Sequence, residues 1–247
     1  MSSLIPNSRD PKGEKPERRK HPATSLASKV SQEESSNEKK ALELTNWVTE
    51  KAVNGVPPLF CSAEELASEY EKDRSYSSRS ARIDSLIKWE TTKNFTSGFI
   101  TGLGGVVTMP ASIPSSFGAS WLIQARMAAT IAVLSGHDIS SDRVRIFILL
   151  SLVGDAGKDV LKGAGIEMGR NLTRVAIEKI PGRVFIELNK KVGFRMLTKA
   201  GEKGVINGMK VVPVAGGLVG GVFDASACRV VGKQAKRIFC SEEDMGM

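Results

Sequence analysis

From Asn94 to Ala125 the chain carries no formal charge, yet the same stretch holds Pro110, Pro114 and glycines at 98, 102, 104, 105 and 118. A helix of roughly 20 apolar residues would cross a bilayer. Proline removes a backbone donor and clashes with the preceding turn, so the prolines and glycines argue against one straight, uninterrupted spanning helix. The stretch "GFITGLGGVVTMPASIPSSFGASWLIQ" therefore reads as two helical fragments around "MPASIP". The first runs to Thr108 and the second from about Phe117 to Leu134. Neither is long enough to span alone before Arg126 ends the uncharged run, so the expected form is a glycine-rich apolar hairpin, buried or re-entrant. Gly102 and Gly105 on its first arm would let another backbone approach closely.

A second small-residue segment supplies the expected partner. In "GGLVGG", Gly216 and Gly220 are four apart, as are Gly217 and Gly221, which gives a helix a smooth face. The hairpin is expected to pack against Val211–Phe223. "VINGMKVVPV" has enough β-branched residues for a local strand, but Pro213 and the flanking helical periodicity favour helix. "GFITGL" and "GVINGM" share a faint pattern that hints at a paired architecture.

The remaining segments also read as helices. One begins near Lys39 and is broken by Gly55, Pro57 and Pro58. Ser62 followed by Glu64 and Glu65 marks the start of the next. Ile83, Leu86 and Ile87 share one face of a third, with Trp89 nearby. "RVRIFILLSLVGDAGKDVLKGAG" opens as a core helix too short to span, and Pro181–Gly182 separates the two helical patterns that follow. The fold class expected is all-α, a compact multi-helix domain with the glycine-rich hairpin. Residues 1–38, polar and rich in proline, read as a disordered leader; 39–240 as the helical domain; 241–247 as a flexible tail.

Lys and Arg number 35 against 27 acidic residues, a net charge of +8. That balance fits an anionic bilayer, a polyanion or a basic soluble surface. Aromatic residues are only 6% of the chain, which speaks against long base-stacking grooves and disfavours nucleic acid as the partner. Cys61, Cys228 and Cys240 are too scattered for a disulfide framework. With no apolar core in the first residues, the expected location is the cytoplasm, extending to the inner face of the cytoplasmic membrane.

Candidate chemistry is sparse. Gln124 and Arg126 interrupt the second apolar helix and Asp224 follows the late glycine segment; an Arg126–Asp224 contact would set the packing register or line a ligand pocket. Asp155 and Asp159 share a helical face beside Lys158, a geometry open to acid–base work but common on ordinary helices. His21 and His137 stand apart from the cysteines, so no metal site is expected. "GDAGKD" lacks the spacing of a phosphate loop, and no cofactor is expected. No catalytic residue is assigned.

"NKKVGFRMLTKAGEKGVINGMKVVPVAGGLVGGVFDA", with the earlier "GLGGVVTMPASIP" and "WLIQARMAATIAVLSGHD", resembles the EcsC protein family over roughly residues 89–240. The resemblance implies an all-helical domain in a bacterial membrane-transport context, the family's name deriving from a protein encoded beside an ABC transporter. It carries no established reaction. Where the family often has an acidic residue between the two prolines this chain has Ser112, which weakens any carboxylate or metal role at that turn. The leading expectation is a non-enzymatic accessory protein at the cytoplasmic membrane face or in a membrane protein complex, with basic flanks for anionic lipid or a protein partner. Homo-oligomerisation stays open. The alternative is a soluble small-molecule-binding protein or hydrolase with a pocket near Asp155 or Asp224.

Overall fold

The computed structural model describes residues 22–57, 60–100, 115–154, 156–163, 166, 177–208 and 213–241. It divides into a short unit, residues 1–36, and a main unit, residues 37–247. The described residues form eight helices: α1 Pro22–Asn54, α2 Ala63–Lys72, α3 Arg79–Ile100, α4 Ser115–Leu134, α5 Asp142–Leu152, α6 Ala156–Gly163, α7 Gly182–Gly208 and α8 Pro213–Phe239. The only extended pairing among them is an isolated antiparallel bridge between Val56 and Phe60. The domain is all-α.

Helix α4 is the axis of the main unit. Every residue from Ser120 to Ala132 is buried, so this helix is enclosed on all sides, the state expected of one that is apolar all round. It packs against α2, α3, α5 and α8. Helices α3 and α8 share the largest interface. Asp84 of α3 pairs with Lys236 of α8 while Ile87 faces Gly232, so the two helices run antiparallel. A Cβ added to Gly232 would lie 2.9 Å from two carbons of Ile87, so this glycine sets the helix spacing. Helix α8 opens on Pro213, a residue suited to a first helical turn because its missing N–H would have had no intrahelical partner.

Three sequence expectations meet the structure differently. Helix α1 begins at Pro22 rather than near Lys39. No proline or glycine interrupts the chain from Ala23 to Asn54, and Gln32–Lys40 form helix while exposed, so local propensity more than burial sustains this part. The run after Asp142 breaks into α5 and α6, because Gly154 adopts φ +64, a left-handed conformation that ends the first helix. The hairpin turn, residues 101–114, lies outside the described residues; its flanks belong to α3, which is continuous from Arg79, and to α4, which packs on α3.

Candidate functional site

Helix α3 places Ile83, Leu86 and Ile87 in the core, and the same stripe, one turn on, carries Glu90. Glu90 is fully buried. Its partner is Arg126, equally enclosed in α4, whose Nη2 donates to both carboxylate oxygens at 3.0 and 3.2 Å. Lys93, half-exposed one turn along α3, adds its ammonium at 3.0 Å from Oε1. Arg126 Nη1 lies 3.6 Å from Cys61 Sγ, and the guanidinium stacks over the Phe60 ring at 4.9 Å. Thr130 Oγ1 donates to the Arg126 carbonyl at 2.9 Å.

A tight loop brings Phe60 and Cys61 to this pair. Val56 and Phe60 exchange both backbone hydrogen bonds, at 2.9 and 3.0 Å. The loop turns at Gly55, φ +77, where a Cβ would meet the backbone of Phe60, Cys61 and Ser62 at 2.7–2.8 Å. Only glycine fits that conformation and that space. Ser62 then starts α2 with a reciprocal capping box: its Oγ accepts from the Glu65 N–H and its own N–H donates to Glu65. Those bonds hold the Glu65 carboxyl below its ordinary value. Helix α2 in turn sets Tyr70 near the ion pair, stacked on Tyr76 at 5.9 Å. Burial first, then neighbouring Tyr76, Glu90 and Glu69, push the Tyr70 hydroxyl up to about 12.

Chemically this is a clamp. Taking an arginine and a glutamate out of water costs several kcal/mol per ion, and their attraction offsets that only with good geometry. The Glu90 oxygens are occupied by two cations and no solvent reaches them, so the carboxylate joins α3 and α4 in one register.

The expected polar network is redrawn accordingly. The partner of Arg126 is the buried Glu90 on α3 and not the expected Asp224, which stands half-buried on α8. Gln124, fully buried, donates to Ser120 Oγ at 2.9 Å and leaves its Oε1 without a partner; it does not join the Arg126 group. Asp155 lies outside the described residues, while Lys158 and Asp159 are exposed on α6. Gly102 and Gly105 also lie outside them, and Gly216, Gly217, Gly220 and Gly221 lie on the helical backbone of α8. The close glycine contacts that are described occur elsewhere, at Gly232 and at Gly193, whose added Cβ would be 3.3 Å from Ala41 Cβ.

The outer face of α8 carries the other notable feature. Arg229, Lys233 and Arg237 recur every four residues and are exposed, and none has an acidic partner among the described residues. Val222 and Val230 emerge beside them, and Trp89 of the adjoining α3 is 58% exposed. Among the described residues no helix is long and apolar enough to cross a membrane, and no three His, Cys, Asp or Glu side chains gather as metal ligands.

The class these features define is an all-helical domain packed around one helix that is buried from Ser120 to Ala132 and locked by a buried Arg–Glu pair. The chain belongs to the EcsC protein family, whose model matches residues 21–240. No curated protein and no solved structure matches it.

Proposed function

We propose that this domain is an accessory protein that acts by binding, peripherally, at the cytoplasmic face of a membrane. The observation that carries the reading is the α8 stripe of Arg229, Lys233 and Arg237, exposed and without acidic partners among the described residues, with Val222 and Val230 of the same helix and Trp89 of α3 also exposed. Basic residues near an anionic bilayer each contribute about 1 kcal/mol, and an interfacial tryptophan adds an amphipathic anchor. Three such residues correspond to roughly a hundredfold in partition. A membrane protein complex with an acidic surface would use the same face.

Co-sedimentation with liposomes tests the reading. The folded chain should pellet with vesicles containing an anionic lipid at low salt, stay in solution with neutral ones, and be released as salt rises. Arg229→Glu with Lys233→Glu and Arg237→Glu should abolish pelleting. Wild-type protein that remains in solution with anionic vesicles at low salt, yet pellets with native membranes, moves the contact to a protein partner. Failure in both overturns the proposal.

A further inference from the structure

A groove of about 710 Å3, away from the ion pair, is lined by α1, α6 and α7. Its volume lies within the roughly 300–1,000 Å3 of small-molecule sites, and such sites are largely apolar with a few placed polar groups. Here the apolar part includes Val160 and Phe185 together with Leu42, Ile186 and Phe194. The last three are 51%, 62% and 57% exposed, an unusual cost for side chains of that size. Ile186 and Phe194 stand eight residues apart on one stripe of α7, so they line a narrow track about two turns long. Gly193 holds α1 against that track, since its added Cβ would already touch Ala41 and Thr45 at 3.3 and 3.5 Å.

The charges of the lining narrow the occupant. Lys190, Lys191 and Arg195 stand against Glu38 and Asp159. Lys190 is paired with Glu38 at 3.3 Å and Lys191 with Glu187 at 2.7 Å, while Arg195 has no ionic partner among the described residues. A guanidinium fork matches a carboxylate with two parallel hydrogen bonds. Asp159 in the same lining opposes a doubly charged phosphate head. We infer that the groove binds a single-chain carboxylate amphiphile, a fatty acid, with its chain along Leu42, Ile186 and Phe194 and its head at Arg195. This site is separate from the α8 face and does not depend on membrane binding.

Equilibrium binding of oleate, oleyl alcohol and oleylamine to the full chain, with stoichiometry from native mass spectrometry, tests it. One oleate per chain is expected, bound more tightly than either neutral or cationic analogue. Loss of a charge-assisted hydrogen bond in Arg195→Gln should weaken oleate about tenfold. Ile186→Ser combined with Phe194→Ser removes exposed groups that support no core, and should weaken oleate at least as much. Leu42→Ser on α1 gives an independent check should that pair disturb α7. Val222→Ser on α8, and the α8 charge reversals, should leave oleate binding unchanged. Equal affinity for oleylamine, more than one oleate per chain, or full affinity in the groove variants would overturn the assignment.

Discussion

Removing Glu90 should cost more than any other single change in the clamp. Glu90→Leu would strand Arg126, whose side chain is only 5% exposed, leaving the Phe60 ring and the Cys61 sulfur as the contacts of its guanidinium among the described residues. Arginine stays charged in proteins, so it cannot relieve the burial by losing its proton. Breaking a buried pair this way costs about 3–5 kcal/mol. Against the roughly 5–15 kcal/mol of a typical domain, that is a large share. Arg126→Met is milder, about 2 kcal/mol, since Lys93 still bonds Glu90 at 3.0 Å and a charged hydrogen bond is worth roughly 1.5–3 kcal/mol. The double variant Glu90→Leu/Arg126→Met removes both charges and should return to within about 1 kcal/mol of the wild type or exceed it. Urea unfolding of the four proteins, with unchanged slope, reads the cycle directly. Additive losses, or a cost under about 1 kcal/mol for Glu90→Leu alone, would refute the view that two dry charges depend on each other.

Three further outcomes follow from local geometry. Ser62→Ala removes the side-chain half of the α2 cap and should cost about 1 kcal/mol in urea; the Ser62 N–H, which the variant keeps, holds Glu65 below its ordinary value, so in both proteins the Glu65 contribution should be present at neutral pH and fade as pH falls through the lowered folded value. Gly232→Ala forces a Cβ to within 2.9 Å of Ile87 and should lower stability by about 1–3 kcal/mol, with Gly232→Ala/Ile87→Ala losing less than the two single changes together. With only two tyrosines in the chain, tyrosinate absorbance should resolve a late step near 12 that vanishes in Tyr70→Phe. The unfolded hydroxyl releases its proton near 10, so the Tyr70 contribution to stability is complete below that pH and lost between about 10 and 12.

Much of the helical layout was legible because local signals and burial agree. The expected second arm ends at Leu134, and α4 ends there too, followed by Gly136 at φ +80. Ser62 with Glu65 announces α2, and Pro181–Gly182 separates α7 from what precedes it. Where local signals conflict with apolar pattern, the expectation drifted. The residues from Arg143 to Leu161 have an apolar helical pattern across Gly154, which conceals the left-handed residue that splits it. Gly193 and Gly232 are single glycines inside ordinary helices, and nothing in their spacing distinguishes a contact glycine from a tolerated one.

The ion pair was half legible, and the missing half has a physical reason. Glu90 completes the i, i+3, i+4, i+7 series begun by Ile83, Leu86 and Ile87, so helix phase alone marks it as a buried carboxylate that needs a cation. Arg126, inside an otherwise uncharged helix, needs an anion by the same rule. Helix phase does not say which neighbour a buried side chain faces, and α4 touches both α3 with Glu90 and α8 with Asp224. The site is completed by a loop that periodicity does not encode: Gly55 turns at positive φ, Val56 and Phe60 lock backbone to backbone, and Phe60 covers the guanidinium. Gly55 thus belongs to the clamp as much as either charge. Its replacement by alanine would strain the turn, drive a Cβ into the Phe60–Ser62 backbone, and loosen the cover over Arg126 without altering an ionisable group.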